Sequence, residues 1–145
     1  MGEVRVKVKL TNAIDEALAR RGQIKKEEIR SYEADALIDT GAVSSVVPRN
    51  VMEQLGVMAD GQRVAQYADN RTETVDLTEP IKFDILGRKS TEGAMVLGNE
   101  VIIGQTILEV IDMHVDCVNQ RLVPNPAHPD QPIVKIRRRK IIYGK

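Results

Sequence analysis

This chain has few aromatic residues, one cysteine and no excess of either charge. Of its 145 residues only 3% are aromatic, and tryptophan is absent. A single cysteine, Cys117, excludes an internal disulfide and predicts a reducing, cytoplasmic compartment. The 21 basic side chains equal the 21 acidic ones. The chain therefore has no overall field that would attract nucleic acid or an anionic membrane.

Long apolar runs are also missing. No segment approaches the roughly 20 apolar residues of a membrane-spanning helix, and residues 1–5 begin a charged, alternating segment rather than a signal peptide. Apolar residues make up 42% of the chain and are mainly aliphatic, which favours β-structure. A mass of 16.1 kDa suffices for one hydrophobic core. We expect no membrane association, one domain over residues 1–134 and a basic tail over 135–145.

The most informative segment is an apolar run that ends at Asp39, Thr40 and Gly41. The residues on either side, 34–38 and 42–47, predict two short buried strands with the aspartate on the turn between them. A carboxylate at such a turn can activate water, the threonine hydroxyl can bond to a partner loop, and glycine permits a tight turn. An aspartate that merely caps a β-turn is the simpler alternative.

A second apolar strand is predicted over residues 101–103 and ends at Gly104. Residues 105–109 follow it and read as one or two helical turns. Taken alone, this pattern is typical of any buried strand followed by a turn. Its order and spacing relative to Asp39 make it informative.

Together the two segments resemble the retropepsins, a family of single-lobe aspartic proteases that includes retroviral enzymes. In that family a strand ending in glycine lies beside the catalytic loop and is followed by a short helix. The resemblance extends over most of residues 4–134, closely at the two motifs and loosely elsewhere. It implies an all-β fold, a closed acid-protease barrel with one or two short helices, active as a homodimer. Each subunit would supply one Asp39, because the chain is too short for a two-lobed protease and has a single Asp-Thr-Gly triplet.

The resemblance also implies a chemistry. Two carboxylates held close together share one proton. The ionised one would take a proton from water, which attacks the peptide carbonyl, while the protonated one donates to the developing oxyanion. The implied activity is that of an aspartic endopeptidase on peptides or proteins, with no metal or other cofactor. Its catalytic residues would be Asp39, Thr40 and Gly41, with Thr40 bonding across the dimer.

A hairpin predicted over residues 61–77 matches the flap that closes over substrate in this family. Asn70 and Arg71 replace the glycine commonly found at such tips, which leaves the tip geometry open. Tyr67 lies near the tip, where it could contact substrate or pack across the hairpin. The residues expected to bind substrate are Ala42, Tyr67, Ala68, Asp69, Ile103 and Gly104.

Ala42 adds an expectation about pH. Pepsin-like loops usually carry serine at this place, and its hydroxyl can donate to a carboxylate oxygen and so favour the ionised form. Alanine removes that donor. We therefore expect activity at mildly acidic to neutral pH.

Other segments carry ordinary patterns. Alternation predicts a strand over residues 4–10 and a hairpin over 81–97. Asn12 can cap a helix over residues 13–21, and helical spacing predicts another short helix over residues 51–55.

A further strand is predicted over residues 111–117. Cys117 falls on its apolar face and is expected to be buried. Asp112, His114 and Asp116 share the other face, and both a metal site and a solvated surface fit that alternation. Because no second histidine cluster completes a site, a solvated surface is preferred and no metal is expected.

Two questions about function stay open. The fold could serve as a noncatalytic dimerisation or peptide-binding module instead of an enzyme. The basic segment 135–140 could contact nucleic acid, or the tail could be disordered. Alternatively, the apolar residues of the tail could pair with the partner's chain ends, as in related dimers; they are Ile133, Val134, Ile136, Ile141 and Ile142. The balanced net charge argues against nucleic acid as a partner.

Overall fold

The computed structural model describes residues 2–136, so most of the predicted basic tail lies outside the described residues. Within this range the chain forms eleven strands, three α-helices and one 3₁₀ turn at Lys26–Glu28. The strands are β1 (Arg5–Asn12), β2 (Ser31–Ile38), β3 (Val46–Val47), β4 (Ala59–Gln66), β5 (Thr72–Thr78), β6 (Ile81–Ile85), β7 (Arg88–Glu92), β8 (Met95–Val96), β9 (Ile102–Ile103), β10 (Met113–Asp116) and β11 (Arg121–Pro124). The helices are α1 (Ala13–Arg20), α2 (Arg49–Leu55) and α3 (Gln105–Ile111).

Nine strands form one sheet in the order β4-β5-β8-β3-β9-β2-β1-β6-β7, and β10 pairs with β11 separately. The mostly-β class is confirmed. A closed barrel was expected. The sheet instead curls into a half-barrel, with β4 and β7 as its two edges. The described range also has three α-helices where one or two were expected.

Strand β1 lies at the centre of the core. It pairs with β2 on one side and β6 on the other, both antiparallel. Val8 and Leu10 are buried against β6 residues such as Phe83, while Lys7 and Lys9 are exposed. The alternation predicted from the sequence is therefore confirmed, and aliphatic packing supplies the core.

Asn12 joins two helices. Its side-chain oxygen accepts from the backbone N–H of Asp15 at 3.0 Å and so caps α1, as predicted. Its amide nitrogen donates to the carbonyl of Leu55, the last residue of α2, at 2.8 Å. Asp15 is buried, and hydrogen bonds from the Arg30 guanidinium hold the pKa of its carboxyl below the ordinary value. These contacts fix the helices against the edge of the core.

The prediction for residues 111–117 is wrong in two respects. Ile111 ends α3 and Asp112 follows it with a φ of 57°, so β10 begins only at Met113. Cys117 lies in the turn after β10 and is exposed, not buried. Asp112 therefore does not share a strand face with His114 and Asp116. The left-handed residue after α3 shifts the strand's start, and sequence alternation does not reveal it.

The second strand predicted next to the aspartate is shorter than expected. Only Val46 and Val47 form β3, and residues 42–45 form a loop. No helix in residues 2–136 is both long enough and apolar enough to cross a bilayer.

Candidate active site

The site lies where the short strand β9 separates β2 from β3. In β9, Ile102 pairs with Leu37 of β2 in parallel and with Val46 of β3 in antiparallel register. The loop that joins β2 to β3 therefore passes over the end of β9. Asp39 is the first residue of this loop, and its N–H donates to the Ile103 carbonyl at 3.0 Å. The predicted placement of Asp39, on a turn that leaves a core strand, is confirmed.

The loop orients the aspartate carboxylate. The N–H of Gly41 donates to Oδ1 of Asp39 at 2.9 Å, and the N–H of Ala42 donates to the Asp39 carbonyl at 3.1 Å. A Cβ at position 41 would lie 3.2 Å from the same Oδ1 and would crowd this bond. Asp39, Thr40 and Gly41 are all exposed. One carboxylate oxygen is thus held by the backbone while the group faces solvent.

The start of α3 supports the loop from below. The N–H of Gln105 donates to the carbonyl of Ala42 at 2.7 Å, and the N–H of Gly104 donates to Oγ of the buried Ser45 at 3.0 Å. A Cβ on Gly104 would lie 2.6 Å from the carbonyl oxygen of Ser44. Glycine is therefore required where the loop crosses β9, because any side chain would push the loop backbone away.

A carboxyl group that the sequence analysis missed stands behind the loop. Glu92, the last residue of β7, accepts at 3.2 Å from Oγ1 of Thr106 in α3, and the same hydroxyl is 2.9 Å from the Val43 carbonyl oxygen. Burial raises the pKa of Glu92, against the lowering effect of hydrogen bonds from Thr106 and Ser45. No sequence pattern marked this residue, because its burial depends on packing between distant segments.

A cleft of about 880 Å³ separates the loop from the β4–β5 hairpin. Five of the predicted site residues line it, and four do not. Those that line it are Asp39, Gly41, Ala42, Tyr67 and Ala68, and those that do not are Thr40, Asp69, Ile103 and Gly104. The Ile103 side chain is buried in the core and Gly104 lies beneath the loop, so both residues position the loop.

The hairpin over residues 61–77 forms as predicted, and its tip is tightly closed. The N–H of Tyr67 donates to the Arg71 carbonyl at 2.8 Å, and Asn70 supplies a φ of 68° that glycine would otherwise provide. The Tyr67 hydroxyl donates to Glu73 at 2.6 Å, which raises the pKa of Tyr67, and the Arg71 guanidinium lies 4.5 Å from the ring centre. The phenol is thus engaged by the other arm of the hairpin.

The cleft has apolar walls with two charged residues. Val43 and Val64 line it although they are 70% and 65% exposed. Asp39 and Arg63 are the charged residues among the lining positions in the described chain. Three of the lining residues were not expected at the site, namely Val43, Val64 and Arg63. Their positions beside the Asp39 motif and in the predicted hairpin could have indicated them. Within residues 2–136, no three His, Cys, Asp or Glu side chains lie close enough together to hold a metal ion.

Comparison with solved structures identifies the fold as retropepsin-like. The chain is similar to the retroviral protease-like domain of Ddi1 from Leishmania major, with a TM-score of 0.53 and 15% identity over 93% of this chain and 92% of that one. It is also similar to the foamy viral protease-reverse transcriptase in complex with an RNA/DNA hybrid, with a TM-score of 0.47 and 19% identity. That match covers 73% of this chain but spans only 11% of the other.

No protein-family model matches the sequence, and no curated protein matches it. At the identities found, the structural likeness establishes the fold and not the activity. The predicted retropepsin-like fold is therefore confirmed, and the arrangement presents one oriented carboxylate at the foot of a cleft.

Proposed function

We propose that this protein is an aspartic endopeptidase in which two copies of the chain bring their Asp39 carboxylates together. One observation carries the proposal. Asp39 lies at the foot of the cleft, on the loop that crosses β9, with one carboxylate oxygen held by the N–H of Gly41. This is a carboxylate oriented by the backbone within a retropepsin-like fold.

The need for a second copy follows from the count of acids. Asp39 is the one acidic residue that lines the cleft in the described chain, and the proposed chemistry needs two carboxylates. A two-fold axis beside the loop would set each Asp39 against its counterpart. The exposure of Asp39, Thr40 and Gly41 and the 70% exposure of Val43 support a contact there. Thr40 of each copy would then bond to the opposite loop.

The paired carboxylates act as base and acid. Two like charges a few ångström apart do not readily coexist, so the pair holds one proton over part of the pH range. The ionised carboxylate takes a proton from a water molecule, whose oxygen attacks the peptide carbonyl carbon. The protonated carboxylate donates to the developing oxyanion. Proton transfer to the amine nitrogen and cleavage of the C–N bond then release two peptides.

The substrate in this proposal is a peptide or protein segment lying between the loop and the hairpin. Ala42, Tyr67 and Ala68 line that space and would contact the substrate, with Asp69 at the hairpin tip. Ile103 and Gly104 were expected to bind substrate. In this proposal they would instead hold the loop in position through their hydrogen bonds to Asp39 and Ser45. We place the enzyme in the cytoplasm, in keeping with a single, exposed cysteine.

The first test is peptide cleavage across an unbiased library at several pH values between about 4 and 7, a range that brackets the titration of paired carboxyls. Wild type is compared with Asp39→Asn, and Asp35→Asn is the matched control, because Asp35 is an exposed aspartate of β2. We expect Asp39→Asn to lose cleavage and Asp35→Asn to retain it. Sedimentation measures the oligomeric state of each sample.

Two outcomes would contradict the proposal. A folded, dimeric wild type that binds peptides without cleaving them would identify the noncatalytic binding module instead. Full activity in a monomeric wild type would refute the shared site. A mixing experiment tests the shared site directly. When excess Asp39→Asn protein is added to wild type, activity must fall as mixed dimers form.

A further inference from the structure

Behind the loop, one hydroxyl lies between two acceptors. Oγ1 of Thr106, in the first turn of α3, is 2.9 Å from the Val43 carbonyl oxygen and 3.2 Å from Oε1 of Glu92. The Thr106 N–H also donates to the Val43 carbonyl, at 3.2 Å. Thr106 therefore links the last residue of β7 to the loop that carries Asp39.

Counting protons shows that the two contacts compete when Glu92 is ionised. A threonine hydroxyl has one proton to donate, and an ionised carboxylate can only accept. With Glu92 charged, the Thr106 proton goes either to Val43 or to Glu92. With Glu92 protonated, its O–H donates to Oγ1 of Thr106, and the Thr106 proton is free for the Val43 carbonyl. Both hydrogen bonds coexist in the protonated form alone.

Hydrogen bonds favour the charged form of Glu92, but among the described residues no ion pair does. The groups that hydrogen-bond to it come from α3 and from the loop, namely Thr106 and Ser45, and both are neutral. On β6, Ile81 lies opposite Glu92, and the adjacent Lys82 is paired with Glu16. Burial raises the pKa of Glu92. Its protonated form therefore persists to higher pH than that of an ordinary glutamate.

We infer that Glu92 is a positioning residue for the loop, acting through Thr106, and that its proton determines how firmly the Val43 carbonyl is held. This inference rests on the proposed function for its catalytic consequence. As pH rises and Glu92 ionises, the Thr106 hydroxyl turns toward Glu92, and Val43 keeps the N–H bond alone. The loop then holds Asp39 less firmly, so turnover falls for a reason separate from the titration of the aspartate pair.

Glu92→Gln is the decisive variant. A glutamine amide donates to Oγ1 of Thr106 at every pH, as protonated Glu92 does. We expect Glu92→Gln to match wild-type kcat/KM at acidic pH and to exceed it about five-fold above the pH at which Glu92 ionises, as expected from one hydrogen bond. Glu53→Gln is the control, since Glu53 is exposed on α2, and its pH profile should follow wild type.

Thr106→Val tests the route. Valine keeps the shape of threonine and removes the hydroxyl, so the double variant with Glu92→Gln should have the same pH profile as Thr106→Val alone. An effect of Glu92→Gln that persists without the hydroxyl would overturn the inference, and so would a pH profile unchanged by Glu92→Gln.

A readout other than activity separates this inference from the proposed function. In Asp39→Asn protein, the backbone amide signals of Val43 and Thr106 are followed by NMR as pH rises. We expect them to titrate together, and the titration to disappear in the Glu92→Gln background. If wild type cleaves nothing but this titration is present, the proposed function fails and the linkage stands. Amide signals that do not respond to pH would refute the linkage.

Discussion

The Asp112 carboxylate lies 2.6 Å from Nδ1 of His128 and ties the segment that follows β11 to the end of α3. It also accepts from the Asn125 side chain at 2.9 Å and from the Ile133 N–H at 3.0 Å. The hydrogen bond from Asn125, followed by those from Ile133 and His128, lowers the pKa of Asp112 to about 2. Three residues of the segment after β11 therefore bind one carboxylate at the end of α3.

This depressed pKa predicts an acid-sensitive contribution to stability. A carboxyl whose pKa is lower in the folded state stabilises the fold above its unfolded pKa and loses that contribution as it is protonated. For Asp112 the loss occurs as pH falls from 3.8 to about 2. We expect Asp112→Asn to be less stable than wild type at pH 7 and the difference to shrink across that window. Urea unfolding at several pH values measures it.

The control for Asp112→Asn is Asp130→Asn, an exposed aspartate of the same segment. Its free energy of unfolding should follow wild type at each pH. A stability difference for Asp112→Asn that stays constant down to about pH 2 would show that the carboxylate's charge is not what stabilises the contact.

Arg88 anchors the same region from the side of β7. It is only 9% exposed, and its guanidinium donates to the carbonyls of Ile111, Asp112 and His128 at 3.0, 2.9 and 3.0 Å. Replacement by Lys keeps the charge but loses the planar fork that reaches several carbonyls at once. We expect Arg88→Lys to lower the free energy of unfolding by about 3 kcal/mol, measured by urea denaturation.

The neighbouring substitution Lys89→Ala is the control for Arg88, because Lys89 is exposed. It should change stability by less than about 0.5 kcal/mol. If Arg88→Lys were equally mild, a lysine amine would suffice for the carbonyl contacts.

The sequence predicted best where local chemistry decides the structure. The turn at Asp39, the cap at Asn12 and the hairpin over residues 61–77 each depend on a few adjacent residues, and all three are present. The geometry of the hairpin tip, which the sequence left open, is closed at Asn70. Asp112 illustrates the opposite case. It has a left-handed backbone, and its carboxylate binds Asn125 and His128, which no window around residue 112 contains.

The candidate site shows the same division. The apolar character of residues 42–47 wrongly extended the buried strand through Val43, which is exposed and whose carbonyl accepts from Thr106 rather than from a strand. Glu92 carried no sequence signal, since its burial arises only when β7, α3 and the loop come together. Long-range packing therefore determined what the sequence could not indicate.

Gly104 predicts a test of the loop's support. An added Cβ would lie 2.6 Å from the Ser44 carbonyl oxygen, so Gly104→Ala must displace backbone. We expect a loss of about 1–3 kcal/mol in unfolding free energy, with a fall in cleavage activity. The control Gly22→Ala has a φ of 77° but meets nothing within 4 Å. It should cost stability through backbone strain while leaving activity unchanged. Equal activity in both variants would show that the loop tolerates displacement.

Ala42 predicts a shift in the pH profile of cleavage. Its N–H already bonds to the Asp39 carbonyl, and the residue lines the cleft beside the carboxylate. A serine hydroxyl there can donate to a carboxylate oxygen and stabilise the ionised form. We therefore expect the acidic limb of the kcat/KM profile to move to lower pH in Ala42→Ser. Ala68→Ser, also lining the cleft but on the hairpin side, is the control, and a matching shift there would refute this explanation.

Arg63 predicts a charge preference in the peptides that are cleaved. It lines the cleft among apolar side chains such as Val64 and Met95. Its guanidinium donates to the Gln62 carbonyl at 3.0 Å. Asp39 is the other charged residue that lines the cleft in the described chain. A peptide with an acidic side chain near this arginine should be favoured over its amide counterpart. Because the site is exposed, we expect a preference of only about three-fold in kcat/KM. Matched peptides with Asp or Asn at each position locate it.

Arg63→Gln should abolish the preference, and Arg63→Glu should reverse it toward lysine-containing peptides. If Arg63→Glu still preferred acidic peptides, the acidic side chain would have to bind elsewhere, because a glutamate at position 63 repels it.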